Sequence, residues 1–211
     1  MVGLRKKVGK SREERKATAE GDGERKAECK SLTFWRDGIL SAFGIATGVN
    51  GKRNRTVAGV NEIVANGLAA YYEYVSQHLH QWVDPLTNEQ FWRKPYPYGN
   101  SVGHLVLHLT GNLSYYIGAR IAETGYVRDR DREFTEPHPP HKDDALRAFD
   151  RTVAMVVATI RKQSAEDWGK AYTAEREPLA KDRFGILVRC AGHAYHHVGQ
   201  IVYLSRELAR T

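Results

Sequence analysis

From residue 57 onward, apolar residues recur every three or four positions in four long runs, and no stretch alternates apolar with polar residues as a half-buried strand would. The first run, "VNEIVANGLAAYYEYVSQHLHQWV" (60–83), stops at Asp84-Pro85, because proline disfavours helix in the residue before it. A capping box, "TNEQ" (87–90), predicts a short helical turn before the loop "RKPYPYGN". The second run, "NSVGHLVLHLTGNLSYYIGARIAET" (100–124), has a polar starter and reaches its stop at Gly125. In the third, "KDDALRAFDRTVAMVVATIRKQ" (142–163), Asp143 and Asp144 open the helix and Arg161 and Lys162 close it, as the helix dipole favours. The fourth is "RFGILVRCAGHAYHHVGQIVYLSRELA" (183–209). Four such helices can bury their apolar stripes only against one another, so the expected fold is an all-α four-helix bundle. The charge-dense segment 125–141 reads as a long surface loop, and 168–182 as a hairpin or a turn. With connections this long, periodicity alone does not fix the topology.

Composition separates a tail from this bundle. Residues 1–56 carry 14 Lys+Arg against 7 Asp+Glu, whereas residues 57–211 carry 18 of each, so the whole net charge of +7 sits in the first quarter. That quarter mixes charge, Gly and Ser with few large apolar residues before Leu32, a composition that predicts a poorly ordered basic extension ahead of a domain at 57–211. Its one apolar run, "GILSAFGIATGV" (38–49), is about as long as a signal-peptide core. It lies far from Met1 behind acidic residues, so it would serve as one only if translation began internally. Nothing approaches the roughly eighteen apolar residues of a membrane span, so no membrane partner is expected. Cys29 and Cys190 form neither a disulfide framework nor a paired-Cys zinc site, which fits a cytoplasmic setting.

The last run holds three histidines in "GHAYHHVGQI". At about 100° per residue, His193 and His197 fall about 40° apart, on the stripe of Ile186, Cys190, Ile201 and Leu204, and both point inward. His196 lies about 100° away, toward the polar edge. Two imidazoles one turn apart and facing a bundle interior can each offer a nitrogen to a metal ion. A third ligand must come from another helix, and the second run offers His104 and His108. His108 is nearer the stripe of Leu105, Leu109, Leu113 and Tyr116, which makes it the better candidate. The plainer alternative is that these are amphipathic or singly hydrogen-bonded core histidines. Cys190, one turn before His193, is either a reactive thiol or inert packing. The glutamate of H-E-x-x-H is missing, which argues against a zincin protease.

The block "NSVGHLVLHLTGNL" and the ending "HAYHHVGQIVYL" together resemble the DinB-like superfamily of small four-helix metalloproteins, over roughly residues 58–209. The resemblance implies an up-down-down-up bundle with a divalent ion, often zinc or nickel, held by His108, His193 and His197 with positions left open. Some relatives look like S-transferases that use bacillithiol or mycothiol; others are described as metal-dependent hydrolases or stress-induced proteins. The basic extension has no counterpart in the family pattern.

Three neutral imidazoles leave the charge of such an ion intact, so a thiol or water at an open position would be acidified. The expected substrate is then a small molecule, with a low-molecular-weight thiol as one candidate partner. Asn112 and Gln200 lie close in angle to the histidines as candidate hydrogen-bond partners, and Arg189, one turn before His193, is placed to pair with a carboxylate of an incoming thiol. The alternative class is a metal-binding bundle without catalysis, serving as a sensor or interaction module; a homodimer is compatible with either. Nucleic acid is not favoured as a partner, because the tail carries no recognisable motif and interleaves its acids with its bases. Were it one, DNA affinity would fall steeply with salt and vanish when residues 1–56 are removed, which a binding titration at two salt concentrations checks.

Overall fold

The long helices after the first start where a side chain accepts from their unpaired backbone N–H donors; the first follows Gly59 without such a cap. The computed structural model describes residues 59–210, which belong to one unit, Thr56–Thr211. The expected basic extension, with Cys29 and the 38–49 run, lies outside the described residues. Helix α1 spans Val60–Val83 and is followed by the short α2, Asn88–Trp92, whose Thr87 and Gln90 form the expected reciprocal capping box. Helix α3, Val102–Leu113, opens on a second box in which His104 takes the place usual for Glu or Gln: its Nδ1 accepts from the Ser101 N–H while Ser101 Oγ accepts from the His104 N–H. Helix α4 is the single turn Arg132–Thr135, α5 is Lys142–Arg161 and α6 is Arg183–Leu208, the last capped by Asp182 accepting from the Gly185 N–H at 2.7 Å.

Two expectations change. The second run does not stay α-helical to residue 124: after Leu113 it widens into a π-helical segment, Ser114–Ala119, with bonds such as Arg120 N–H to Tyr115 O. It closes through Glu123 and Gly125, both at positive φ. The stretch 125–141 is not simply a surface loop, because α4 lies inside it and buries Glu133. The 168–182 connection resolves as a 3₁₀ turn, Asp167–Gly169, and an isolated bridge between Ala171 and Asp182; among the described residues there is no strand.

The long helices form a ring in which α1 and α3 each pack on both α5 and α6. Side-chain pairs give the directions. His80 meets Asp150 and Asn61 meets Gln163, so α1 and α5 run antiparallel. Tyr72 meets Leu187 and Arg206 lies over Trp82, so α1 and α6 run parallel. Ser114 meets Thr152 and Gly118 lies against Met155, so α3 continues alongside α5 in the same sense. The bundle is therefore up-down-down-up, and α3 is antiparallel to α6. That crossing sets the middle of α3 against the middle of α6, where the histidines lie.

The core between the four helices is fully shielded at Phe149, Leu109, Ile117, Ile186 and Ile201, each of which would cost about 2–5 kcal/mol if cut to alanine. Tyr72 is equally buried, and its hydroxyl donates to Leu187 O at 2.7 Å. Tyr172 Oη donates to Tyr116 O at 2.9 Å and Tyr116 Oη to Glu175 O at 3.0 Å, which ties the 168–182 connection to the π-helical segment. Among the described residues no helix is long and apolar enough to cross a membrane.

His80 clamps α1 to α5, with Asp84 and Asp150 each 2.8 Å from one of its ring nitrogens. Burial opposes protonation, but the hydrogen bonds and charges of the two carboxylates outweigh it and raise the pKa. The charged ring is thus favoured in the folded state, so the clamp stabilises fully below the unfolded value near 6.5 and its contribution is lost as pH rises through the folded value. Urea unfolding of His80→Ala should show a larger deficit at pH 5.5 than at pH 9, by no more than about 1 kcal/mol given the exposure of the pair.

Candidate metal centre

The antiparallel crossing of α3 and α6 brings His108, His193 and His197 together. One ring nitrogen from each lies within 4.8 Å of the others, and they form the one group of its kind among the described residues. His108 is buried, whereas His193 and His197 are half-buried, so the cluster is closed on the α3 side and open on the α6 side. The two α6 rings stand perpendicular with centroids 4.5 Å apart, and the His108 ring lies 5.2 and 4.9 Å from them.

Hydrogen bonds decide which nitrogens face inward. His108 Nδ1 donates to Glu133 Oε2 at 2.7 Å, which leaves Nε2 as the lone-pair nitrogen, 3.0 Å from His193 Nε2. His197 Nδ1 donates to Gln200 Oε1 at 2.7 Å, which likewise frees its Nε2. The ring of His193 is held neutral by burial and then by its neighbours His197, His108 and Arg189, which bring its pKa down to about 3. Burial also dominates at His197, lowered to about 4 although its bond to Gln200 works the other way. Near neutral pH both can therefore offer a lone pair without first losing a proton.

Glu133 comes from the one-turn helix α4 in the segment that reads as an ordinary charged loop. Arg128 holds its carboxylate at two points, Nε to Oε1 at 2.7 Å and a terminal nitrogen to Oε2 at 2.9 Å. Burial alone would raise the Glu133 pKa; the hydrogen bonds from His108 and Arg128, with the charge of Arg128, overcome this and hold it below the usual range. Arg128 also sits over the face of Tyr116, and Phe134 packs its ring 4.9 Å from that of His108. Neither Glu133 nor Arg128 stands out in the sequence. The available signal is Gly111, one turn after His108, where any Cβ would collide with the Glu133 carboxylate.

The other sequence candidates separate. Gln200 touches His197 and, more loosely, the exposed His196 at 3.3 Å. Asn112 is buried one turn beyond His108, with its Oδ1 lacking a hydrogen-bond partner. Arg189 is paired with an acid, its Nε 3.2 Å from Glu177 Oε2. The thiol of Cys190 is buried and pushed well up from its ordinary pKa, mainly by that burial, so it packs as an apolar group rather than serving as a nucleophile. His104 belongs to the cap of α3 and meets Trp92 edge-on.

Such a donor set suits a divalent cation: neutral imidazole nitrogens, two of them oriented by a second hydrogen bond, converge from two helices. The model of the DinB superfamily matches residues 71–201. Among solved structures, the fold is similar to a conserved protein from Enterococcus faecalis, with 17% identity, a TM-score of 0.57 and coverage of 74% of this chain and 100% of that one. It is similar also to YfiT from Bacillus subtilis, described as a probable metal-dependent hydrolase with an unusual four-helix bundle topology. There the identity is 17% and the TM-score 0.57, over 76% of this chain and 95% of that one. No protein with a curated description matches the chain.

The two histidines of α3 should respond differently to removal. His104→Ala loses a cap and about 1 kcal/mol of stability while leaving metal uptake intact, whereas His108→Ala abolishes stoichiometric uptake; denaturant unfolding beside elemental analysis of the two variants checks both.

Proposed function

The chain belongs to the DinB superfamily, and from that premise we propose that it is a metal-dependent enzyme acting on a small molecule, with Nε2 of His108, His193 and His197 as the ligands of one divalent ion. The observation that carries this reading is the asymmetry of the cluster: His108 is buried and braced, while His193 and His197 are half-exposed, so a substrate can approach from the α6 side. Structural sites enclose their ion with four protein ligands; three imidazoles with one open face match the catalytic pattern. When bound, the ion supplies Lewis acidity, which acidifies a water or thiol and polarises the group under attack.

The chain's own residues set the orientation. Glu133 and Gln200 fix the rings of His108 and His197, and the low pKa values of His193 and His197 keep both lone pairs free at working pH. Arg189 and Glu177 form an ion pair one turn from His193, and a substrate carboxylate would bind there by displacing Glu177.

In this reading the ion is zinc or nickel. The nucleophile is water, in a hydrolase as YfiT is described, or a low-molecular-weight thiol in an S-transferase. The setting is cytoplasmic stress response or detoxification, with neither nucleic acid nor membrane as a partner and a homodimer as a compatible assembly. Purified protein should take up one ion per chain. It should then turn over either ester and amide substrates with water or electrophiles with added thiols, and should lose both uptake and turnover in His193→Ala and His197→Ala. Full uptake without turnover in either panel would reassign the bundle to metal binding without catalysis, and stoichiometric metal in both alanine variants would remove the site.

A further inference from the structure

Apart from the ligands themselves, the most tightly built feature around the histidines is the carboxylate behind His108. We infer that Glu133, braced by Arg128 and admitted by Gly111, is a positioning residue that fixes the His108 ring with Nε2 toward the metal site. This deepens the proposed function and rests on it for the identity of what Nε2 faces.

Three observations converge. First, the Glu133 side chain is 6% exposed, as is that of His108, so the 2.7 Å bond between them is shielded from competing water. An imidazole offers either nitrogen as donor, and a buried carboxylate can only accept; the pairing therefore selects the Nδ1–H tautomer and leaves the lone pair on Nε2. Second, the carboxylate cannot rotate away, because Arg128 grips both of its oxygens. That guanidinium is held in turn over the Tyr116 ring, 5.6 Å from its centroid, on the π-helical segment that directly continues α3. The brace thus returns to the same helical run that carries His108. Third, α3 makes room for the acid at one place: Gly111, on the face of α3 next to His108, is the position where any side chain would occupy the space of the carboxylate. A chance surface ion pair would not need a glycine in a helix, which costs about 1 kcal/mol relative to alanine.

A fixed tautomer matters because His108 is the ligand that cannot reorient toward solvent. With Nδ1–H committed to Glu133, the 3.0 Å contact to His193 is a hydrogen bond from His193 Nε2–H to His108 Nε2; a cation bound between the two rings would replace it, the His193 proton passing to Nδ1 of the same ring. Removing the acceptor frees the ring to adopt the opposite tautomer, in which Nε2 carries a proton and cannot ligate.

The test combines nitrogen-15 NMR of the histidine rings in metal-free protein with Zn²⁺ affinity measured against a chelator, in wild type and in Glu133→Ala, Glu133→Gln and Gly111→Ala, circular dichroism verifying the fold of each. The wild-type His108 ring should be the Nδ1–H tautomer. Glu133→Ala and Gly111→Ala should weaken Zn²⁺ binding about 10- to 100-fold and mix the tautomers. Glu133→Gln, whose amide oxygen still accepts from Nδ1–H, should keep the tautomer and recover most of the affinity, a rescue that a purely structural role would not produce. A wild-type Nε2–H tautomer would overturn the inference, and so would unchanged affinity in folded Glu133→Ala. Should Glu133→Ala fail to fold, the wild-type tautomer and the Gln variant still decide. Absence of Zn²⁺ binding in wild type would instead overturn the proposed function, while the tautomer measurement continues to judge Glu133.

Discussion

A buried imidazole must account for both of its nitrogens, and the way His108 does so organises this bundle. One nitrogen is committed to a carboxylate delivered by a four-residue helix, the other to the space shared with His193 and His197. The first contact depends on how α4 packs against α3, the second on the crossing of α3 and α6, which run antiparallel in the up-down-down-up order of this chain. An up-down-up-down bundle with the same helices would make α3 parallel to α6, and the two histidine-bearing helices would no longer cross in opposite senses. The connection between the parallel α3 and α5 carries α4, and so serves the site through Glu133.

Charge is distributed around the cluster to keep it neutral but not inert. The two α6 histidines are pushed toward the neutral form by burial and by neighbouring imidazoles, and the Glu133 carboxylate is saturated by Arg128 and His108. The result is a set of lone pairs without a compensating anion among the ligands, so a bound cation would keep its full charge for whatever it contacts at the open face. The same economy explains the silence of Cys190, which lies a turn away but is sealed in the core where a thiolate would be too costly.

Much of this was legible before any coordinates. The bounds of α1, α5 and α6 follow from apolar periodicity and breakers, and angular arithmetic on two helices selects His108 over His104 and His193 with His197 over His196. What stayed hidden has a physical cause. A π-helical segment keeps the apolar spacing of an α-helix over so short a span, so the change after Leu113 leaves no trace in periodicity. A four-residue helix is too short to show a period at all, so Glu133 looks like any other acid among the arginines of its loop. The capping role of His104 was masked because histidine replaces the usual Glu or Gln of the motif. Gly111, like Gly103 against Trp92, marks where something approaches α3 closely, and a glycine does not say what.

The proposed function requires one divalent ion among the Nε2 atoms of His108, His193 and His197. Anomalous diffraction from crystals of metal-loaded protein tests it most directly. The expected result is a single strong peak in contact with Nε2 of His108, His193 and His197, on the side of His108 away from Glu133. A peak bound elsewhere, with these three nitrogens left uncoordinated, would contradict it.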